Sequence, residues 1–139
     1  VALVHGRVSP QEGTIRVPLA RSKMDRQRFT VSVGGRSAET SYRVERLYHR
    51  DNATYSFLTL WPKTGRTHQI RVHVRYIGHP IVADQTYGGE KRSKEDREWC
   101  PRLFLHAKKI SFIHPVKKSI IAVESPLPED LKLVLSTLL

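Results

Sequence analysis

Two adjoining runs of β-forming residues constrain this chain more than anything else in it. Thr40 to His49 and Ala53 to Trp61 are rich in Tyr, Val, Thr, Phe and Leu, which suit a pleated, half-buried surface. Asp51-Asn52 lies between them with the chemistry of a tight turn, so a hairpin is expected. Shorter strand candidates precede it. Val1 to Val4 is apolar throughout. Thr14 to Leu19 alternates, with Ile15, Val17 and Leu19 on one face, and Phe29 to Val33 alternates before Gly34-Gly35 turns the chain. Arg21 to Arg28 is basic, carries little apolar anchoring and reads as a loop.

Beyond the hairpin, Pro62-Lys63-Thr64-Gly65 ends the second strand. Arg66 to Gly78 fits both periods, since Ile70, Val72 and Val74 alternate while Ile70, Val74 and Ile77 keep helical spacing. Thr67 as N-cap, Gly78 as C-cap and Pro80 just beyond decide for a helix. His68, Arg71 and Arg75 then share its polar face. Ile81 to Ala83 reads as a short strand and Asp84 to Gly89 as a turn. Glu90 to Glu98 is a solvated loop or short helix. Leu103 to Phe112 and Ile120 to Val123 read as two more strands. A last helix starts at Pro128-Glu129-Asp130 and buries Leu131, Val134, Leu135 and Leu138. The expected class is α+β: a mixed, mainly antiparallel sheet with flanking helices.

Charge narrows the partner. In 139 residues, 24 Lys and Arg oppose 13 Asp and Glu, a net charge of +11. Such a surplus favours a polyanion, with RNA or DNA ahead of an acidic membrane surface. No apolar run approaches the roughly 20 residues of a membrane helix, and no strongly amphipathic basic helix is present. The single cysteine, Cys100, excludes an internal disulfide framework and fits a reducing, cytoplasmic setting.

The densest chemistry is Thr64-Gly65-Arg66-Thr67-His68-Gln69-Ile70-Arg71-Val72-His73. Two arginines and two histidines crowd a helix N-terminus that already carries partial positive charge, so the arrangement asks for a carboxylate or phosphate. The alternative is a solvated basic helix face. A metal site is not expected: His68 and His73 are five apart, without acidic ligands at suitable spacing, and His79, His106 and His114 are scattered. His79-Pro80 and His114-Pro115 read as turns. No Gly-x-Ser-x-Gly elbow is present, and Cys100 has no activating neighbour. Arg36, Tyr42, Arg43, Arg46, Tyr48, His49 and Arg50 interleave bases with aromatics. That pattern suits a nucleic-acid backbone, unless Tyr42 and Tyr48 lie in the core.

Gly65 to His73, then Ile77-Gly78-His79-Pro80-Ile81-Val82-Ala83-Asp84 and Tyr87-Gly88, closely resemble the RluA-like family of RNA pseudouridine synthases. Arg102 to Ala107 and Phe112 to Pro115 resemble its later motifs. Ala38, Thr40, Tyr42 and Val44 match its Ala-x-Thr-x-Tyr-x-Val strand, and Val1 to Gly6 looks like the end of its Lys-x-Tyr-x-Ala-x-Val-x-Gly strand.

The resemblance implies an isomerase that converts uridine to pseudouridine in ribosomal or transfer RNA with no metal or organic cofactor. It implies that Arg71 pairs with a nucleophilic aspartate and that Leu105 packs at the base. Arg66, His68 and Gln69 are expected at the substrate. Arg21, Lys23, Arg26, Arg28, Arg43, Arg46 and Arg50 are expected on the RNA backbone. The family's His-Arg-Leu-Asp segment is absent, and its stacking tyrosine would fall just before Val1. Asp84, after Ala83 where the family has glycine, is expected to be structural. Residues 1–139 are therefore expected to be the C-terminal portion of a catalytic domain whose upstream half is missing, the intact enzyme being a cytoplasmic monomer. A non-catalytic RNA-binding module on the same scaffold is the rival reading.

Overall fold

A computed structural model describes residues 1–139. Its backbone is the expected hairpin: β5 (Glu39–Arg50) and β6 (Ala53–Pro62) pair antiparallel from Thr40 opposite Pro62 to Arg50 opposite Ala53. Asp51 and Asn52 both take positive φ, 45° and 64°, which twists the turn to match the strands. A bulge between Val44 and Arg46 interrupts the ladder.

β1 (Ala2–His5) lies against β6, and β2 (Glu12–Arg16) against β5, giving the order β1-β6-β5-β2. The far edge of β1 is also bonded. His5 N–H donates to Pro80 O at 3.0 Å, Val82 N–H to Leu3 O at 2.9 Å and Leu3 N–H to Phe104 O at 3.2 Å. β1 thus ends the sheet order but is covered along both edges, and Ala2, Leu3 and Val4 are fully buried, in keeping with their uninterrupted apolar run.

The expected strand from Thr14 to Leu19 is divided. Pro18 has no N–H for a ladder, and the chain leaves the main sheet there. β3 (Leu19–Arg21) then pairs with β4 (Phe29–Val31) as a separate ribbon. Arg21 to Arg28 is accordingly a hairpin connection, tied by Ser22 N–H to Arg28 O at 2.9 Å and Arg28 N–H to Asp25 O at 3.0 Å.

α1 (Gln69–Tyr76) begins later than its sequence suggests. His68, not Thr67, occupies the N-cap, in the left-handed region at φ 55° and with no side-chain cap. Its other end follows expectation: Gly78 at φ 90° donates to Arg75 O, and His79 N–H reaches Val74 O, a Schellman closure. Ile81 makes only a single bridge to Val4. α2 (Glu90–Asp96) realises the short-helix alternative.

The predicted strand Leu103 to Phe112 is also divided. Phe104 is buried in the core, whereas β7 (Lys109–Ile113) pairs only with β8 (Ile120–Glu124), and both strands of that ribbon are largely exposed. α3 (Glu129–Ser136) buries Leu131 and Val134. The fold is α+β with antiparallel pairing, and no helix is long and apolar enough to cross a membrane.

Candidate active site

The segment from Thr64 to His73 turns much of its chemistry inward. Gln69 is 3% exposed and uses every hydrogen-bonding position of its amide. Its Oε1 accepts from Thr64 Oγ1 at 2.7 Å and Arg66 N–H at 3.1 Å. Its Nε2 donates to Glu39 O and to Thr40 Oγ1, both at 2.9 Å. Thr40 Oγ1 in turn donates to His73 Nδ1 at 2.9 Å, and His73 Nε2 donates to Val17 O at 3.1 Å. The Val17 carbonyl places a proton on Nε2, and burial, which holds the His73 pKa below the ordinary histidine value, favours the neutral ring with Nδ1 as acceptor. The motif leads us to expect Gln69 at the substrate, whereas its amide is buried and fully paired within these residues. Gln69 and His73 rivet α1 to β5.

Arg71 is the outward member of the same helix turn. Its Nε donates to Asp84 Oδ2 at 2.8 Å and its Nη2 to Asp84 Oδ1 at 2.7 Å, a bidentate fork. Asp84 also accepts from Thr86 N–H at 3.0 Å and Tyr87 N–H at 2.9 Å. Burial alone would raise the Asp84 carboxyl. The Arg71 and backbone N–H donors outweigh it and hold the group below the usual carboxylate range. The anion that the basic helix end asks for is thus met within the chain by Asp84. Arg71 Nη1 makes no hydrogen bond, and its side chain keeps 16% exposure.

The Asp84 turn is built for this grip. Ala83 sits at φ 59°, with its N–H on Asp96 Oδ2 at 2.9 Å, and the same Asp96 oxygen meets His5 Nε2 at 2.8 Å. Gly88 donates to Asp84 O at 2.8 Å, and a Cβ there would lie 2.5 Å from that oxygen. Only glycine permits the approach.

Tyr87 joins the pieces. Its ring lies beneath the Arg71 guanidinium, 4.8 Å from Cζ to centroid. Its hydroxyl accepts from Phe29 N–H at 2.9 Å and donates to His68 Nδ1 at 2.8 Å. His68 then carries its proton on Nε2, which has no partner in the chain. Burial, with the Arg71 charge, lowers its pKa. Phe29 and Tyr87 both meet the His68 ring edge-on, at 6.1 and 5.5 Å. Neither residue stands out in the sequence as a site residue. Tyr87, at a fixed offset after Asp84 within the motif, carried the signal that could have marked it.

The remaining expected site residues divide. Arg66 Nε donates to Ser37 O at 3.0 Å, and Arg66, Arg21, Arg36 and Phe29 line one cavity of about 500 Å³. Arg28 bridges Asp25 at 3.0 Å and lines a second groove beside Tyr87. Lys23 and Arg26 stand at the exposed ribbon tip. Arg43, Arg46 and Arg50 line neither cavity. They lie over Trp61, Tyr48 and Trp99 along β5. Tyr42 and Tyr48 are buried, so the interleaved aromatics are core and offer bases no stacking face. Leu105 is half-buried on the far edge of β1, bridged to Ala2. Burial pushes the Cys100 thiol up to about 11, far from a nucleophile's range.

Known proteins resemble this chain in sequence and fold. Residues 1–76 match the family model described as RNA pseudouridylate synthase. An uncharacterized RNA pseudouridine synthase of Chloroflexus aurantiacus is 42% identical over 137 residues, covering 99% of this chain and 40% of the relative. The ribosomal large subunit pseudouridine synthase C of Escherichia coli is 36% identical over 143 residues, covering 99% and 44%. The solved human RNA pseudouridylate synthase domain containing 1 superposes with a TM-score of 0.78 at 29% identity, over 91% of this chain and 53% of that one. The human domain containing 4, at 22% identity and a TM-score of 0.71, shares the fold. The chain spans 40% to 44% of the length of these curated relatives. It belongs to the RluA-like family of RNA pseudouridine synthases.

Proposed function

We propose that residues 1–139 form the C-terminal portion of a catalytic domain that isomerises uridine to pseudouridine in ribosomal or transfer RNA. The observation that carries this reading is Arg71: held by Asp84, backed by Tyr87, with Nη1 still free to meet a second carboxylate. That carboxylate is the nucleophilic aspartate, supplied from outside these residues. A guanidinium beside it keeps it ionised and fixes its direction. In the reaction the bond from C1′ to N1 breaks, the base turns, and C1′ bonds to C5. The proton leaving C5 ends on N1, so no external reactant is consumed. The target uridine is drawn out of its stack to reach the site. Leu105 packs against the base, and Arg66 and His68 Nε2–H face the substrate. The intact enzyme works as a monomer without metal or organic cofactor.

The test uses RNA from cells lacking the gene. Mass spectrometry should find at least one pseudouridine missing from ribosomal or transfer RNA, restored by the intact protein and not by residues 1–139 alone. A complete set of pseudouridines in the deleted cells would overturn the activity. Restoration by the 139 residues alone would overturn the assignment of the nucleophile to a segment outside them. RNA binding by the intact protein without restoration would establish the non-catalytic module.

A further inference from the structure

We propose that the groove between the β3–β4 ribbon, α1 and α2 binds the RNA backbone next to the target nucleotide, as a run of phosphodiesters laid along Arg75, Lys94 and Arg97. The inference rests on the RNA-modifying reading above and adds a location to it. The groove measures about 680 Å³, and four cations line it: Arg28, Arg75, Lys94 and Arg97. Glu90 is its one carboxylate, and Tyr87 its one aromatic.

Arg75, Lys94 and Arg97 are exposed and make no ion pair, whereas Arg28 is shared with Asp25. The cations come from three parts of the chain, so their meeting is not one basic run folded back on itself. Uncompensated like charges around a single groove repel one another until an anion enters. The lining is too polar for an apolar ligand, and four cations around one groove suit a polyanion.

Position adds direction. Arg75 follows Arg71 by one turn of α1, a rise of about 5–6 Å. Tyr87, whose ring supports Arg71, is also a wall of the groove. A strand whose nucleotide lies at Arg71 would pass its neighbouring phosphates over Arg75 toward α2.

The test compares two triple variants of the intact protein, each removing three positive charges: Arg75→Gln/Lys94→Gln/Arg97→Gln in the groove, and Arg92→Gln/Lys117→Gln/Lys118→Gln outside it. Binding of a fluorescent substrate RNA is followed by anisotropy across a salt series. Each lost phosphate contact lowers the slope of log K against log salt by about 0.7, so the groove variant should lose roughly 2 from the slope and about 100-fold in affinity near 0.1 M salt. The outside variant should lose far less. Equal losses in the two variants would overturn the groove while leaving the RNA reading standing. A wild-type protein that binds no RNA would overturn both.

Discussion

Arg71 and Asp84 hold each other through two hydrogen bonds of 2.8 and 2.7 Å, across thirteen residues and two kinds of backbone, a helix and a left-handed turn. Asp84 is wholly buried, and its charge is satisfied only by this guanidinium and two backbone N–H groups. Asp84→Asn keeps the shape and removes the charge, leaving Arg71 uncompensated. Breaking such a pair costs on the order of 3 kcal/mol, the low end for buried pairs because Arg71 keeps some solvent. Denaturant unfolding of the variant should show a midpoint lowered to match. An unchanged midpoint would mean that the fork contributes nothing to the fold.

The same pair contributes to the acid sensitivity of the fold. The Asp84 pKa is depressed by folding, so its contribution is complete above the unfolded carboxylate value near 4 and is lost as pH falls toward the folded value. His73 acts earlier. Its pKa is also depressed, by burial, so the folded state resists the proton that the unfolded chain accepts below about 6.5. Stability should therefore decline first below about pH 6.5 and again below about pH 4. Asp84→Asn should flatten the lower step and leave the upper one. A variant retaining the full lower step would remove Asp84 from this account.

Thr40 Oγ1 links Gln69 to His73 inside the protein. Thr40→Val is close to isosteric but strands a buried amide N–H and a ring nitrogen. Each unsatisfied group costs about 1–3 kcal/mol, so a loss of roughly 2–6 kcal/mol is expected in calorimetry. A neutral substitution would show that water or repacking replaces the hydroxyl.

Tyr87→Phe keeps the ring beneath Arg71 and deletes the hydroxyl that receives Phe29 N–H and locks His68. Nitrogen-15 NMR of the wild type should show His68 neutral with its proton on Nε2. In the variant the two tautomers should mix. Finding the proton on Nδ1 in the wild type would reverse the hydrogen-bond directions assigned to Tyr87.

Two glycines of the motif should respond differently to alanine. At Gly88 a Cβ would meet the Asp84 carbonyl at 2.5 Å, and the turn that aims the carboxylate must move. At Gly65 nothing lies within 4 Å. Gly88→Ala should destabilise by more than about 2 kcal/mol, and Gly65→Ala should stay within about 0.5 kcal/mol. Comparable melting temperatures for the two variants would contradict this contrast.

Local chemistry made much of this legible in the sequence. The Asp51-Asn52 turn announces the long hairpin, and Gly78 with Pro80 marks the end of α1, because both signals act within a few residues. What escaped depends on distant partners. Gln69 and His73 look like polar helix residues beside Arg71, but β5 and Val17 supply acceptors and donors that draw them inside. His68, in the left-handed region, holds the N-cap position expected of Thr67. Pro18 could have announced the break after β2, yet the apolar alternation on either side conceals it. Apolar residues at both ends of Leu103 to Phe112 likewise suggest one strand in a chain that leaves the core before β7. At the site, the basic cluster announced a need for an anion. Its identity as Asp84 follows only from a turn that brings residue 84 back to residue 71.

The buried chain of hydrogen bonds from β5 to Val17 has a fixed polarity. It begins at the Glu39 N–H, which donates to Thr64 Oγ1 at 3.0 Å and can only donate. It ends at the Val17 carbonyl, which can only accept. Between them every hydrogen points the same way, through Thr64, Gln69, Thr40 and His73. Passing a proton along a wire reverses each link behind it, and neither terminus permits reversal. This row of hydroxyl, amide and imidazole is therefore an insulator. For all its resemblance to a catalytic relay, the row through His73 can pass no proton from one end to the other.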